Sequence, residues 1–291
     1  MKVAFIGLGV MGYPMAGHLA RADFDVHVFN RTHSKAQAWA AEFGGHAFDS
    51  VADAVAEVDQ ILMCVGDDAD VRERMAEVVL AAKPGTIIVD HTTTSAQLAR
   101  DMDALCQQHQ LQWVDAPVSG GQAGAENGQL TIMCGGDEIS YGYAEPVMSV
   151  YARQCRLMGP AGSGQLTKMV NQICIAGVLQ GLAEGLSFVN AAGLDGEAVI
   201  EVISKGAAQS WQMENRYQTM LAGEYDLGFA VQWMRKDLGH VLTEGRRNDS
   251  SLPLTAMVDQ FYAEVENLGG SRWDTSSLLA RLENTRRGPQ R

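Results

Sequence analysis

A glycine pattern near the start of the chain has the spacing that binding of a phosphate chain requires. Gly7, Gly9 and Gly12 form the pattern GxGxxG after the apolar run Lys2–Ile6. The first glycine permits a tight turn, the second lets the backbone approach a pyrophosphate, and the third permits close packing of the following helix, whose N-terminal amides attract phosphate. The cofactor contacts expected in this turn are Gly7, Leu8, Gly9, Val10, Met11 and Gly12. The pattern therefore predicts a dinucleotide site at the end of a first strand.

A second group of residues combines one cation with two amides. Lys168, Asn171 and Gln172 are spaced i, i+3 and i+4, so a helix places them on one face. Reduction of a carbonyl group needs hydride at the carbon and a proton or positive charge at the developing alkoxide, and a lysine can supply the latter. A lone lysine on a helix is usually a solvated charge, so a chemical role for Lys168 depends on the rest of the sequence.

The residues after the second predicted strand, Asp25–Phe29, bear on which dinucleotide binds. An acidic residue at this place would accept hydrogen bonds from the ribose 2′-hydroxyl and favour NAD. The sequence has Asn30, Arg31 and Thr32 instead, with Lys35 one helical turn further on, and guanidinium and ammonium groups suit a phosphate. This turn favours NADP, with NAD as the alternative if Arg31 and Lys35 are only solvated turn and helix residues.

Strands and helix-compatible segments alternate through the first half of the chain. This order predicts an α/β fold with a mainly parallel, doubly wound sheet and right-handed crossovers. A helix is expected from Ser34 to Glu42, capped by Thr32 or Ser34. The further predicted strands are Gln60–Val65, Thr86–Val89, Gln112–Asp115, Leu130–Cys134 and Cys155–Met158, the last two at the far edge of the sheet.

The pattern changes after the glycine-rich run 159–164. From Gln165 to about Ala192 the residues predict one long helix, and the rest of the chain is helical in pattern. The further expected helices are Asp195–Lys205, Phe229–Arg246, Pro253–Asn267 and Thr275–Asn284. The sequence thus predicts a Rossmann domain over residues 1–163 and an all-α domain over residues 164–291, joined by a long helix, with a solvated tail from Arg286 to Arg291.

Composition and charge exclude several classes of function. The chain has 22 basic and 35 acidic residues and a net charge of -13, which disfavours binding to nucleic acid or to an anionic membrane. No membrane span and no basic signal segment is expected, so a cytoplasmic location is predicted. The 5 cysteines contain no CxxC pair and the 7 histidines have no metal-ligand spacing, so buried reduced thiols and no metal site are expected.

Four separated motifs together give the chain its resemblance to the β-hydroxyacid dehydrogenases. They are Gly7–Gly12, Asp115–Gly121, Gly162–Gln172 and Lys236–Leu238. They span nearly the whole chain, and the combination is far more specific than the glycine turn alone. The family is similar in fold to 6-phosphogluconate dehydrogenases, so the resemblance implies a Rossmann domain, a helical C-terminal domain and a long interdomain helix.

The resemblance also implies roles for individual residues. It assigns the acid/base role to Lys168 and an orienting or substrate-binding role to Asn171. Ser119, Gly120 and Gly121 resemble the family's cradle for the substrate carboxylate, where a hydroxyl and unhindered backbone amides approach the ligand. The other implied substrate contacts are Thr93, Phe229 and Asp237, and the other cofactor contacts are Val65, Gly66, Thr93 and Lys236.

Simpler roles compete with several of these assignments. Phe229 can instead pack in a core, and Lys236 and Asp237 can instead form a solvated pair. Thr94 or Ser95, next to Thr93, can cap the following helix.

The expected reaction is direct hydride transfer between NADP(H) and a short β-hydroxy acid or its semialdehyde, or reduction of an aldehyde such as glyoxylate or succinic semialdehyde. The run from Lys168 to Gln172 is closer to tartronate-semialdehyde and glyoxylate or succinic-semialdehyde reductases than to 3-hydroxyisobutyrate dehydrogenases, which usually have a second asparagine at the position of Gln172. The alternatives are an imine reductase, a class that usually lacks the lysine, a 3-hydroxyisobutyrate dehydrogenase that uses NAD, and a noncatalytic NADP-binding module.

The expected partners follow from the same reading of the sequence. They are a small carboxylate-bearing aldehyde or hydroxy acid, and further copies of the chain in a homodimer or homotetramer. Neither nucleic acid nor a membrane is expected to bind.

Overall fold

The computed structural model describes residues 1–287. They form two compact units, the first from Met1 to Lys168 and the second beginning at Met169. The sequence places the domain boundary between residues 163 and 164, where the long helix begins, whereas the compact units divide inside that helix. The tail from Arg286 to Arg291, predicted to be solvated, lies mostly outside the described residues.

A mainly parallel sheet is the centre of the first unit, as the alternation of strands and helices predicts. Its strands are β1 (Lys2–Ile6), β2 (Asp25–Phe29), β3 (His46–Ala47), β4 (Gln60–Met63), β5 (Ile87–Asp90), β6 (Gln112–Asp115), β7 (Val118–Ser119), β8 (Leu130–Gly136) and β9 (Ala152–Leu157). The order across the sheet is β3-β2-β1-β4-β5-β6-β8-β7, with β9 beside β8. Strand β8 runs antiparallel to β6 and β7, whereas the pairs from β1 to β6 are parallel. Strand order reverses between β1 and β4, which is where open α/β sheets bind ligands.

Helices cover both faces of this sheet. They are α1 (Gly12–Arg21), α2 (His33–Phe43), α3 (Val51–Val55), α4 (Asp68–Ala81), α5 (Ala96–Gln108), α6 (Gly121–Glu126) and α7 (Glu138–Met148). Alternate residues of β1 enter different cores: Val3 and Phe5 pack with α1, α2 and α7, and Ala4 and Ile6 pack with α3, α4 and α5. Burial on both faces explains why the central strands are continuous apolar runs.

The described part of the second unit contains helices and no strand. After α8 (Ser163–Ala192), which contains the division between the units, they are α9 (Gly196–Ile203), α10 (Trp211–Ala222), α11 (Val231–Arg247), α12 (Pro253–Asn267) and α13 (Leu278–Arg287). Helix α10 was not predicted; Ser210 caps it by accepting the backbone N–H of Met213 at 3.0 Å. The helix predicted from Thr275 begins as a 3-10 turn over Thr275–Ser277, which Asp274 caps, before α13 continues it.

The expectation that no segment is apolar enough to cross a membrane needs a correction at α8. This helix has the length for a span, and an 18-residue window in it has a mean hydropathy of 1.4. Leu179, Ala183 and Leu186 of α8 are buried in the core of the helical unit. A core helix of a folded domain has this composition because its inner face must be apolar.

The cysteines follow the sequence prediction in part. Those described are all free thiols, and Cys106 and Cys134 are buried. Cys174 is exposed on α8, so the expectation of burial is wrong there. Cys134 and Cys155 are neighbours on β8 and β9, with their sulfur atoms 3.5 Å apart, which no local sequence pattern indicates.

A buried histidine links two strand ends of the first unit. His91, directly after β5, has Nδ1 2.7 Å from the carbonyl oxygen of Ala116 and Nε2 2.8 Å from the hydroxyl of Tyr151. Both contacts suit a neutral ring that donates from Nδ1 and accepts at Nε2. Burial lowers the pKa of His91 to about 4, so the ring stays neutral well below its ordinary range.

This burial predicts a specific loss of stability in acid. Unfolded His91 takes up a proton below its ordinary pKa of about 6.5 while the folded ring does not, so the free energy of unfolding decreases as the pH falls from about 6.5 towards 4, by about 2–3 kcal/mol in total. We expect His91→Gln to lack this component. Urea unfolding between pH 7.5 and pH 4.5 measures it, with the exposed His109→Gln as control; identical pH dependence in the wild type and His91→Gln would contradict the assignment.

Candidate cofactor and catalytic site

The glycines of the first turn are needed for different structural reasons. Gly7 has a positive φ of 96°, and a Cβ there would lie 2.2 Å from the carbonyl oxygen of Cys64. A Cβ at Gly12 would lie 1.9 Å from the carbonyl oxygen of Gly7. A Cβ at Gly9 would meet nothing within 4 Å. Gly7 and Gly12 are thus required by the fold itself, and Gly9 borders open space beside the start of α1, which fits the approach of a pyrophosphate.

The end of β2 is tied to this turn by Asn30. Its Oδ1 accepts the backbone N–H of Leu8 at 2.9 Å, and its Nδ2 donates to the carbonyl oxygen of Thr32 at 3.0 Å. Thr32 occupies the N-cap position of α2 without a capping hydrogen bond from its side chain. The structure thus shows that the Asn30 side chain shapes the loop, and its contact with the cofactor stays a prediction.

The two basic residues of the predicted 2′-phosphate site lie at the same edge of the sheet. Arg31 has a side chain that is 84% exposed, and its Nη1 lies 3.8 Å from Oδ1 of Asp70 on α4. Lys35 lines a cleft of about 560 Å³ together with Gly9 and Val10. Asp70 also accepts the backbone N–H of Gly66 at 3.0 Å, so the carboxylate that is bonded to the loop after β4 lies within ion-pair distance of the arginine after β2.

The loop after β4 begins earlier than the sequence predicted. The strand ends at Met63 rather than at Val65, because the backbone N–H of Val65 donates to Oγ1 of Thr92 at 3.0 Å instead of joining the sheet. Val65 also lies beside Gly7, where its Cγ1 would be 3.2 Å from a Cβ. Val65 and Gly66 therefore border the glycine turn at the place where strand order reverses.

The hydroxyl residues that follow β5 make different contacts. Ser95 is the cap of α5, since its Oγ accepts the backbone N–H of Leu98 at 3.0 Å. Thr94 is buried, and its backbone N–H donates to Oε1 of Gln165 at 3.0 Å. Of the two capping candidates, Ser95 is thus the one that caps α5. The hydrogen bond from Thr94 to Gln165 joins the segment around Thr93 to the start of α8.

A buried carboxylate fixes the start of the helix that carries Lys168. Asp115, at the end of β6, accepts the backbone N–H of Gly162 at 2.7 Å and that of Gln165 at 2.9 Å. Burial raises the pKa of Asp115 to about 6 although these N–H groups act in the opposite direction. Lys168 follows in the next turn and is 7% exposed. In the sequence Asp115 stands out only as part of a motif, and Gly162 and Gly164 are the residues that indicate a close approach of the backbone.

Glycine is also required in the predicted carboxylate cradle. Strand β7 ends at Ser119, and Gly120 and Gly121 follow with positive φ values of 134° and 61°. Other residues rarely adopt these values. The backbone thus turns sharply between β7 and α6.

In the second unit, four predicted residues form one chain of polar contacts. Asn171 Nδ2 donates to Oε1 of Gln172 at 2.8 Å, and Gln172 Nε2 donates to Oδ2 of Asp237 at 2.7 Å. Nζ of Lys236 lies 3.3 Å from Oδ1 of Asp237. Asp237 is 2% exposed, so the alternative of a solvated pair is wrong for it. The helical spacing predicts that Asn171 and Gln172 share one face, but it carries no sign of their link to Asp237.

Phe229 lies just before α11 rather than inside it. Its backbone N–H donates to Oδ2 of Asp274 at 2.8 Å, and its side chain packs against the core of the helical unit. Packing in a core, the simpler role that the sequence allows for Phe229, therefore accounts for its side-chain contacts within the helical unit. At the start of α10, Trp211 is 57% exposed, whereas Met213 is buried.

Within residues 1–287, no group of three or more histidine, cysteine, aspartate or glutamate side chains is arranged to hold a metal ion.

Two family models match consecutive parts of the chain. The NAD binding domain of 6-phosphogluconate dehydrogenase matches residues 2–159. The NAD-binding domain of NADP-dependent 3-hydroxyisobutyrate dehydrogenase matches residues 162–282.

Similar proteins cover nearly the full length. An uncharacterized oxidoreductase of Shewanella frigidimarina is 60% identical, over 98% of this chain and 99% of its own. The 2-hydroxy-3-oxopropionate reductase of Escherichia coli is 32% identical over 97% of both chains. The solved structure of Mycobacterium tuberculosis 3-hydroxyisobutyrate dehydrogenase with L-serine has a TM-score of 0.90 at 30% identity, and the match covers 97% of this chain and 99% of that one.

The different roles of Gly9 and Gly12 give a direct test of the glycine turn. We expect Gly9→Ala to leave the free energy of unfolding unchanged, because the added methyl meets no protein atom, and to weaken dinucleotide binding about tenfold or more, equivalent to about 1.4 kcal/mol. Gly12→Ala should destabilise the fold itself. Urea unfolding and fluorescence titration with NADPH measure the two effects. Wild-type affinity in Gly9→Ala would show that the pyrophosphate does not approach this backbone.

Proposed function

Since the chain belongs to the β-hydroxyacid dehydrogenase family, we propose that it transfers hydride directly between NADP(H) and a short β-hydroxy acid or its semialdehyde, or reduces aldehydes such as glyoxylate and succinic semialdehyde. Oxidoreductase chemistry with a nicotinamide cofactor follows from the family itself. The preference for NADP, the substrate class and the role of Lys168 are our proposal.

The burial of Lys168 is the observation that carries this proposal. Lysine is almost never fully buried unless its ammonium group has a task or a partner, and Lys168 is 7% exposed in a helix whose start is held by Asp115. A buried ammonium group on this helix can give a proton to the substrate oxygen as charge develops on it. The nicotinamide supplies or accepts the hydride, and Lys168 balances it by supplying or accepting the proton.

Two further segments supply the binding that the reaction requires. The Ser119 hydroxyl and the backbone of Gly120 and Gly121 are proposed to hold the substrate carboxylate. Asn171, whose amide is linked through Gln172 to the buried Asp237, is proposed to help orient the substrate. Such fixed positioning contributes to catalysis because the reacting groups no longer lose freedom in the reaction step.

Asn30, Arg31, Thr32 and Lys35 support the choice of NADP. No carboxylate follows β2 directly at the place where an NAD-specific acid would stand. The exposed guanidinium of Arg31 and the Lys35 side chain beside Gly9 are proposed to bind the 2′-phosphate. The cytoplasmic location and the homodimer or homotetramer expected from the sequence stay predictions.

Cofactor preference can be measured on the protein without knowledge of its substrate. We expect tighter binding of NADPH than of NADH, and a loss of about tenfold or more in NADPH affinity in Arg31→Gln with little change for NADH, because NADH lacks the 2′-phosphate that Arg31 is proposed to bind. Arg72→Gln, which removes another arginine paired with an aspartate in the same unit, is the matched control. Equal affinities, or a preference for NADH, would overturn the assignment.

The role of Lys168 predicts a loss of turnover without a loss of cofactor binding. Lys168→Ala should lower kcat by about 10²–10⁴-fold, the usual contribution of a positioned acid/base group, and leave NADPH affinity intact. Lys168→Arg retains the charge but not an easily transferred proton, so it separates the two contributions. Lys83→Ala, at an ion pair on the surface, is the control. Turnover within about tenfold of wild type in Lys168→Ala would refute the role.

The choice of substrate for these assays follows from the alternatives. Glyoxylate, succinic semialdehyde, tartronate semialdehyde and a cyclic imine should be compared with NADPH. The relative from Escherichia coli is named for reduction of 2-hydroxy-3-oxopropionate, which is tartronate semialdehyde. Activity only on the imine would refute the proposal, and tight NADPH binding without any turnover would support a noncatalytic module instead.

A further inference from the structure

The side-chain amide of Gln165 forms hydrogen bonds with the backbone on both sides of Thr93. Its Oε1 accepts the backbone N–H of Thr94 at 3.0 Å, and its Nε2 donates to the carbonyl oxygen of Thr92 at 2.8 Å. Gln165 is 1% exposed, and Thr92 and Thr94 are equally inaccessible to water. One planar amide thus makes two hydrogen bonds to one short stretch of backbone, and Thr93 is the residue enclosed between them.

Gln165 is itself held at the start of α8. Its backbone N–H donates to Oδ2 of Asp115 at 2.9 Å, and Lys168 follows three residues later in the same helix. Residues at i and i+3 of a helix lie on neighbouring parts of one face. The Gln165 amide therefore connects the segment around Thr93 to the helix turn that carries Lys168.

The segment around Thr93 is also held from its other side. Oγ1 of Thr92 accepts the backbone N–H of Val65 at 3.0 Å, in the loop that borders the glycine turn. The loops after β4 and β5 and the first turn of α8 are thus joined through Thr92 and Gln165. The two loops contain Val65, Gly66 and Thr93 of the proposed site, and the first turn of α8 leads directly into the turn that carries Lys168.

The geometry explains why an amide occupies position 165. A glutamine offers one acceptor and one donor on the same planar group, and the backbone here presents one N–H and one carbonyl oxygen to it. A glutamate could accept from Thr94 but would place a second oxygen against the carbonyl of Thr92. A leucine of similar size would leave both buried backbone groups without these partners.

We propose that Gln165 is a positioning residue for hydride transfer, which sets the location of Thr93 relative to Lys168. The inference rests on the proposed function, because it assigns Gln165 an effect on that reaction. Gln165 acts through Thr93 and the helix turn and does not itself take part in proton or hydride transfer. Its loss should therefore lower the rate of the chemical step and leave cofactor binding nearly unchanged.

The test compares Gln165→Leu and Gln165→Glu with the wild type. We expect kcat to fall by about 10–100-fold in Gln165→Leu, since small displacements of reacting groups have effects of this size, with NADPH affinity and substrate KM within about threefold of wild type. Gln165→Glu, which retains the bond to Thr94, should lose less. The isotope effect on kcat with NADPH deuterated at the transferred position should increase in both variants, because the hydride step becomes slower relative to product release.

Gln60→Leu provides a matched control. Gln60 is a buried glutamine at the opposite end of β4, whose Nε2 donates to the carbonyl oxygen of Tyr143 at 2.7 Å. Its replacement removes a buried amide from the same unit, so it measures the general cost of such a change. We expect unchanged kcat and an unchanged isotope effect in this variant.

The outcomes separate the inference from the function on which it rests. Wild-type kcat in both Gln165 variants, or an equal loss of kcat in Gln60→Leu, overturns the positioning role alone. If Gln165→Leu does not fold, the kcat and isotope effect of Gln165→Glu decide. Absence of wild-type turnover on every aldehyde overturns the proposed function and this inference together. Faster hydrogen exchange of the Thr94 amide in Gln165→Leu, together with a lowered kcat, supports the positioning role of Gln165.

Discussion

The buried carboxylate of Asp115 at the start of α8 is the interaction on which the candidate site depends. It places two carboxylate oxygens against the N–H groups of Gly162 and Gln165, which otherwise have no partner within the helix. The helix dipole and these donors favour the negative charge, while removal from water disfavours it. Because Gly164 has no side chain, the backbone of α8 comes close to β6 and β8: a Cβ there would lie 2.4 Å from the carbonyl oxygen of Met133.

The raised pKa of Asp115 shows that this arrangement costs stability. The folded carboxyl group has a pKa of about 6, above the ordinary value of about 3.9 in an unfolded chain. The stabilisation of the protonated form is therefore fully present below about pH 3.9 and is lost as the pH rises through about 6, so ionised Asp115 destabilises the fold at neutral pH. Structural capping alone would not require such a cost, since exposed aspartates such as Asp195 cap other helices of this chain. A fixed helix start beside Lys168 is a reason to retain it.

The parts of the fold that sequence could predict are those determined by neighbouring residues. The bounds of β2 and α12 agree with prediction, because alternation and a proline at the helix start are local patterns. Gly7 and Gly12 were predictable for the same reason. Helix α10 was missed because its long polar residues hide the apolar face that contains Met213 and Met220.

The contacts that organise the site are a different case, since they join residues far apart in the sequence. Gln165 and Thr92 are separated by 73 positions, and Gln172 and Asp237 by 65. Periodicity carries no information at such distances. The motifs identified which segments matter, but only the structure shows that the amides in them bind backbone and carboxylate.

The link between Gln172 and Asp237 changes the meaning of a sequence difference within the family. The resemblance used the glutamine at position 172, where 3-hydroxyisobutyrate dehydrogenases usually have a second asparagine, only to distinguish subgroups of the family. In the structure Gln172 accepts from Asn171 and donates to Asp237 at 2.7 Å while 2% exposed. An asparagine is one methylene shorter and cannot make both contacts without movement of α8 or α11. Any effect of this position on specificity therefore acts through the placement of Asn171, because the glutamine amide is already committed to its two neighbours.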